Sequence, residues 1–317
     1  LPGMNEALLL YGLFSLFMLR PLFGTKDPML QCINPSTKRE LLKGHYPEAN
    51  AALTAALRTD SLNPALYYLR GVCRGRLMQW PAAKDDFTHA IRLDSTDGWF
   101  YVGRAKCNFE LRQLQQASKD YALAFKRTPN CHSDSDVAAQ AGVTHLFLND
   151  VPQAAEELEL ASVLDLRNDF ALFYLTVTRT VCHKPQAAAA SCKEYIKWHA
   201  KRPEGYVNRA LLHASLGEYQ PAAADIELAL TFAPNHAGSA LAKIVITDLS
   251  GKPAEANTQL ANLAARANDK GSLYLDLGDY YMQAGKNSAA NQRWATAQQL
   301  GNTEAAERIA AKFRPAP

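Results

Sequence analysis

The chain has 317 residues, 48% of them apolar and 21% charged, with a net charge of +3. So small a charge excludes the electrostatic footing of a nucleic-acid binder or of a protein held to an anionic membrane surface. The apolar share is enough for a continuous core. No low-complexity run and no strand-like alternation interrupts the chain, which reads as all-α.

In chain order, Leu1-Pro2-Gly3 precede Met4, which is expected to be the natural start. The first element is Ala7–Leu19, thirteen residues without a charge between Glu6 and Arg20. A membrane span needs about 20 apolar residues, so this stretch is short for one. It lacks the basic leading segment and small-residue cleavage site of a secretory signal. Cys32 follows Met29-Leu30-Gln31, without the small residue a lipoprotein signal places before its cysteine. Two readings remain: residues 4–24 anchor the chain in a membrane, or they form an apolar helix covered by protein.

From residue 30 onward, two apolar-periodic helical stretches alternate with short turns. The turns read LKGHYPEA, LMQWPAA, LRQLQQA, LNDVPQA, CHKPQAA, LGEYQPA, SGKPAEA and AGKNSAA. Gly44, Gly217, Gly251 and Gly285 stand where a left-handed residue would close the first helix of a pair. Pro47, Pro81, Pro152, Pro185, Pro221 and Pro253 stand at the start of the second helix, where a missing N–H costs nothing.

A ruler of 34 residues fits units starting at Leu30, Pro64, Gly98, Ser135, Asp169, Pro203, Ala237 and Gly271, broken only by His132–Asp134. Position 20 is then alanine in all eight units: Ala49, Ala83, Ala117, Ala154, Ala188, Ala222, Ala256 and Ala290. A small side chain there lets the two helices of a pair approach closely. Position 24 is the larger core residue: Leu53, Phe87, Tyr121, Leu158, Cys192, Ile226, Leu260 or Trp294. Pro35 falls inside the first helix of the first unit, which is therefore expected to be shortened or late. In the fifth unit Tyr195 replaces the alanine common at position 27.

The unit Pro203–His236, PEGYVNRALLHASLGEYQPAAADIELALTFAPNH, resembles the tetratricopeptide repeat through Tyr206, Ala210, Gly217, Tyr219, Ala222, Ile226, Ala229 and Pro234. The resemblance implies a right-handed superhelical solenoid of about eight helix-turn-helix repeats over residues 30–304. An N-terminal apolar segment (1–29) would precede it, and a capping helix and tail (305–317) would close its exposed end. The resemblance also implies that the first helix of each pair lines a concave groove. Its ligand-facing positions here include Tyr68, Val72, Trp99, Val102, Phe109, Val143, Phe147, Phe170, Phe173, Tyr174, Val177 and Leu211. Chaperone-binding members carry lysine at position 5, and no unit of this chain does. An apolar or helical protein segment is therefore the expected ligand. About half of the named side chains are expected to pack between helices. Leu8–Leu19 would present apolar groups on every side of a helix, and burying each is worth roughly 1.5–3 kcal/mol. We expect it to lie in the groove near Trp99, Phe147 and Phe170.

Arginine occupies position 7 in only three units (Arg70, Arg104, Arg209), and aspartate occupies position 23 in the same three (Asp86, Asp120, Asp225). This co-occurrence points to a recurring ion pair between the two helices of a unit. The six cysteines form no CxxC pair and no zinc spacing. No catalytic constellation, phosphate loop or dinucleotide fingerprint is present. The sequence thus reads as a non-catalytic interaction scaffold without metal or cofactor, cytoplasmic or membrane-associated. The alternative is a membrane-associated assembly factor anchored by residues 4–24.

Overall fold

The structure, a computed structural model, describes residues 28–303 apart from 149 and 183, together with Ala305, Ala306 and Ile309. The expectations for Ala7–Leu19, and for most of the C-terminal capping helix, lie outside the described residues. Among those described there are sixteen α-helices and no strand. They fall into eight pairs. The first four pairs are α1 Pro35–Lys43 with α2 Tyr46–Thr59, α3 Pro64–Arg76 with α4 Trp80–Leu93, α5 Gly98–Glu110 with α6 Leu114–Arg127, and α7 Ser135–Phe147 with α8 Val151–Leu164. The rest are α9 Asp169–Val181 with α10 Pro185–Trp198, α11 Pro203–Ser215 with α12 Tyr219–Phe232, α13 Ala237–Leu249 with α14 Pro253–Arg266, and α15 Lys270–Gln283 with α16 Asn287–Gln299. Every even-numbered helix opens on position 17 of the sequence ruler. The helices group into two compact units, divided in the chain between residues 144 and 145.

Pro35 begins α1 instead of interrupting it. The Asn34 side chain accepts a hydrogen bond from the Thr37 amide at 2.8 Å, and Pro35 in the first turn has no N–H to satisfy. His132–Asp134 lengthen the loop before α7, following a 3-10 turn at Pro129–Cys131. The Asp134 carboxylate then accepts from the Val137 amide at 3.0 Å, so the extra residues end in a helix cap.

The turn residue at position 15 is left-handed at Gly44, Gly217, Gly251 and Gly285, as the sequence suggests. The same conformation recurs at Met78 (φ 58°) and Arg112 (φ 60°), where no glycine signals it. An L-residue there carries about 1–2 kcal/mol of strain, and Met78 is exposed. Met78→Gly is therefore expected to stabilise the protein by about 0.5–1 kcal/mol after the extra chain entropy of glycine is counted. A chemical denaturation series checks this, with Gly217→Ala expected to shift stability the opposite way by a similar amount.

All eight position-20 alanines are buried, and so are all eight larger residues at position 24. Where a core side chain is oversized, a glycine opposite makes room. Tyr195, 1% exposed, takes the space that a Cβ on Gly205 would need. Phe87 does the same at Gly103, and Trp294 at Gly278. The atypical fifth unit is thus accommodated by a residue of the unit that follows it.

Candidate functional site

The three arginines and three aspartates meet as forks. Arg70 Nε and Nη2 donate to the two oxygens of Asp86 at 3.0 and 2.7 Å. Arg104 reaches Asp120 in the same way at 2.9 and 2.7 Å, and Arg209 reaches Asp225 at 2.8 and 2.5 Å. Position 11 supplies a third group in each unit. Arg74 Nη1 lies 2.9 Å from Asp86 Oδ2, and Asn108 Nδ2 donates to Asp120 Oδ2 at 2.9 Å. His213 Nε2 stands further off, 3.9 Å from Asp225 Oδ2. Each arginine also lies 5.6 Å from the ring centre of a tyrosine at position 4: Tyr67, Tyr101 and Tyr206. Polar residues at position 11 and tyrosines at position 4 of these same units are the sequence signal for the further members of each cluster. The clusters link the first and second helices of a unit.

Of the twelve side chains expected to face a ligand, nine are buried: Tyr68, Val72, Val102, Val143, Phe147, Phe173, Tyr174, Val177 and Leu211. This is more than the half expected to pack inside. Tyr68 and Val72 belong to a core cluster with Phe87 and Phe100, Val102 packs with Tyr121, and Leu211 packs with Ile226 and Leu241. Tyr68, Val72, Val102 and Leu211 thus belong to the packed core of the helix pairs. Trp99, Phe109 and Phe170 remain partly exposed.

Two features stand on the odd-numbered helices. In the unit from residue 145 on, aromatic rings gather around Tyr174. Phe170 is 4.7 Å away, Phe173 is 5.1 Å and Phe147 is 6.4 Å between ring centres, all edge to face. Phe170 is the member at the surface.

In the unit of residues 28–144 there is a partly open cavity. Its walls are Gly71, Val72, Gly75 and Arg76 of α3, Trp80 and Phe87 of α4, Gly103, Lys106, Cys107, Phe109 and Glu110 of α5, Tyr121 of α6, and Gln140 of α7. The Tyr121 hydroxyl donates to Gln140 Oε1 at 3.2 Å and closes the floor. Burial lowers the Arg76 guanidinium, raises the Glu110 carboxyl and pushes the Lys106 ammonium down to about 8. Of the lining residues, only Val72 and Phe109 were among the expected ligand-facing side chains. The other lining residues are mostly glycine and polar positions of the first helices, which a scan for large apolar residues does not register.

Burial pushes the thiols of Cys73, Cys107, Cys131 and Cys192 up to about 12, which suits packing and disfavours a thiolate. Among the described residues no three His, Cys, Asp or Glu side chains cluster so as to hold a metal ion. No helix among them is long and apolar enough to cross a membrane.

Paired antiparallel helices repeating in one register, with alanine at each close approach, define a helical-repeat solenoid. Residues 203–236 match the family model described as Tetratricopeptide repeat. The fold is similar to that of a tetratricopeptide repeat protein from Parabacteroides merdae, with a TM-score of 0.62 and 13% identity over 78% of this chain and 98% of that one. It is also similar to yeast Tom70, with a TM-score of 0.60 and 15% identity over 99% of this chain and 69% of that one. A third similar structure is YrrB, described as having an unusual peptide-binding site, with a TM-score of 0.52 and 16% identity over 61% of this chain and 97% of that one. A search of curated proteins finds no match. The chain thus contains one segment that matches the tetratricopeptide repeat, and its helix pairs share the fold of tetratricopeptide repeat proteins.

Proposed function

We propose that the protein is a non-catalytic scaffold that holds an apolar or helical segment of a partner protein against its odd-numbered helices. The array over residues 30–304 is the interaction module in this reading, with residues 1–29 and 305–317 flanking it. The observation that carries the proposal is the placement of Trp99, Phe109 and Phe170. These large rings are left partly exposed on the first helices of their pairs, although most of the other aromatic groups among the described residues are buried. Apolar anchors on one helix face, flanked by polar side chains, are how grooves of this kind hold a segment. YrrB, similar in fold, is described as having a peptide-binding site, which supports the same reading here.

The test is selection of a random dodecapeptide display library on the whole chain. Peptides rich in large apolar residues are expected. Their affinity should fall at least tenfold in Trp99→Ser, Phe109→Ser or Phe170→Ser, each reported separately. Loss of binding in Leu228→Ser and Phe232→Ser instead, on the exposed side of α12, would overturn the proposal.

A further inference from the structure

We propose that His236 is a pH-sensitive latch at the junction of α11 and α13: neutral, its ring caps α13, and protonated, it releases that cap and pairs with Glu204 of α11. The latch needs no ligand, so it stands whether or not the odd-numbered helices hold a partner segment.

Other first helices of the pairs are capped by side-chain oxygens. Asn63, Asp97 and Asn168 accept a backbone amide of the helix that follows at 3.1, 2.8 and 2.9 Å. α13 is capped by the His236 ring, whose Nδ1 accepts from the Ser239 amide at 3.1 Å, with the Ser239 hydroxyl 2.9 Å away. An amide N–H can only donate, so Nδ1 carries no proton while the cap is made, and the ring is neutral. Gly238 gives the ring its seat: a Cβ there would stand 2.9 Å from His236 Cε1 and 2.5 Å from the Tyr280 hydroxyl of α15. Ser239 is fully buried, so its amide has no ready replacement for the ring in water.

The second observation is a carboxylate in want of a donor. Glu204, in the first turn of α11, is the charged group that acts on the His236 ring. Its Oε2 is buried and accepts no hydrogen bond among the described residues. Such an oxygen is costly to bury, and an imidazolium N–H would satisfy it. Among the described residues no other charged group acts on the ring: α15 brings the Tyr280 hydroxyl, while α12 and α14, which also pack on α13, bring none. A proton on Nδ1 removes the acceptor and places a cation at the positive end of α13. Burial lowers the imidazole below its ordinary value, and Glu204 acts against that shift. With the folded value below the unfolded one, the contribution of the cap is full above about pH 6.5 and is lost as pH falls through the folded value. One ring thus has two mutually exclusive partners, and protonation selects between them.

The test is NMR of the full chain between about pH 7.5 and about pH 5, the range in which imidazole titrates. The Ser239 amide resonance is expected to move with the His236 ring titration. Protection of the Ser239, Ala240 and Leu241 amides against exchange should fall roughly tenfold across it, as loss of a cap does. His236→Asn supplies a cap that does not titrate, and should keep its protection throughout. In Glu204→Gln the ring should titrate at lower pH, because the carboxylate that favours the cation is gone. Equal acid losses of protection in native protein and H236N would overturn the latch. So would a Ser239 amide that ignores the ring titration, a result read on the native protein even if H236N does not fold. An unchanged ring titration in E204Q would overturn the pairing with Glu204.

Discussion

Asp86→Ala is expected to cost about 3 kcal/mol and to be the most damaging of the three aspartate substitutions. Asp86 is 2% exposed and faces two guanidinium groups, Arg70 and Arg74, which are themselves only 14% and 22% exposed. Removing one partner of a buried pair typically costs 3–5 kcal/mol because the remaining charge is left uncompensated. Here the arginines retain some access to water, which places the effect at the lower end. Asp120→Ala leaves one arginine and the Asn108 amide without their acceptor, and about 2–3 kcal/mol is expected. Asp225 faces an arginine that is 34% exposed, and water can replace the carboxylate there for about 1–2 kcal/mol. Repeat arrays need not unfold in one step, so the measurement is amide exchange in α3–α6 and α11–α12 together with urea unfolding. Equal losses at all three sites would show that exposure does not set the order.

Gly103→Ala should destabilise the protein by about 2 kcal/mol, whereas Gly75→Ala, one residue before the end of α3, should stabilise it by up to about 0.5 kcal/mol. Both exchanges favour the helical backbone. They differ in what the methyl group meets. At Gly103 it falls inside 3.0 Å of Phe87 Cε1, Cδ1 and Cζ. The same ring lies against Gly71 as well, where a Cβ would be 3.0 Å from Cε1, and it is 3% exposed, so it has little room to move. At Gly75 the methyl group meets Trp80 at ordinary contact distance. Pairing Gly103→Ala with Phe87→Leu is expected to recover part of the loss, as coupled neighbours do. Thermal unfolding of the three variants reads the opposite signs directly. A stabilised Gly103→Ala would show that Phe87 has freedom which the packing denies it.

The sequence by itself determined the repeat and its register. Alanine at position 20 lies at the closest approach of two helices within one unit, so size alone marks it. The Arg–Asp pairs were legible for the same reason: both partners recur at fixed offsets inside a unit, sixteen residues apart. Tertiary structure decided what happens between elements whose spacing does not recur. Met78 and Arg112 take the left-handed turn because the geometry of the helix pair demands it, against their own backbone preference. Gly205 answers Tyr195 and Gly103 answers Phe87 across neighbouring units, where a side chain can be read only against the one it faces. Helical spacing gave the inward-facing positions, but their burial depends on how closely the next pair approaches. Most of the apolar side chains expected at the ligand surface are therefore buried, while the cavity lies among glycine and polar positions of the first helices. A side chain's size and spacing are properties of the sequence; the space left over between side chains belongs only to the packed structure.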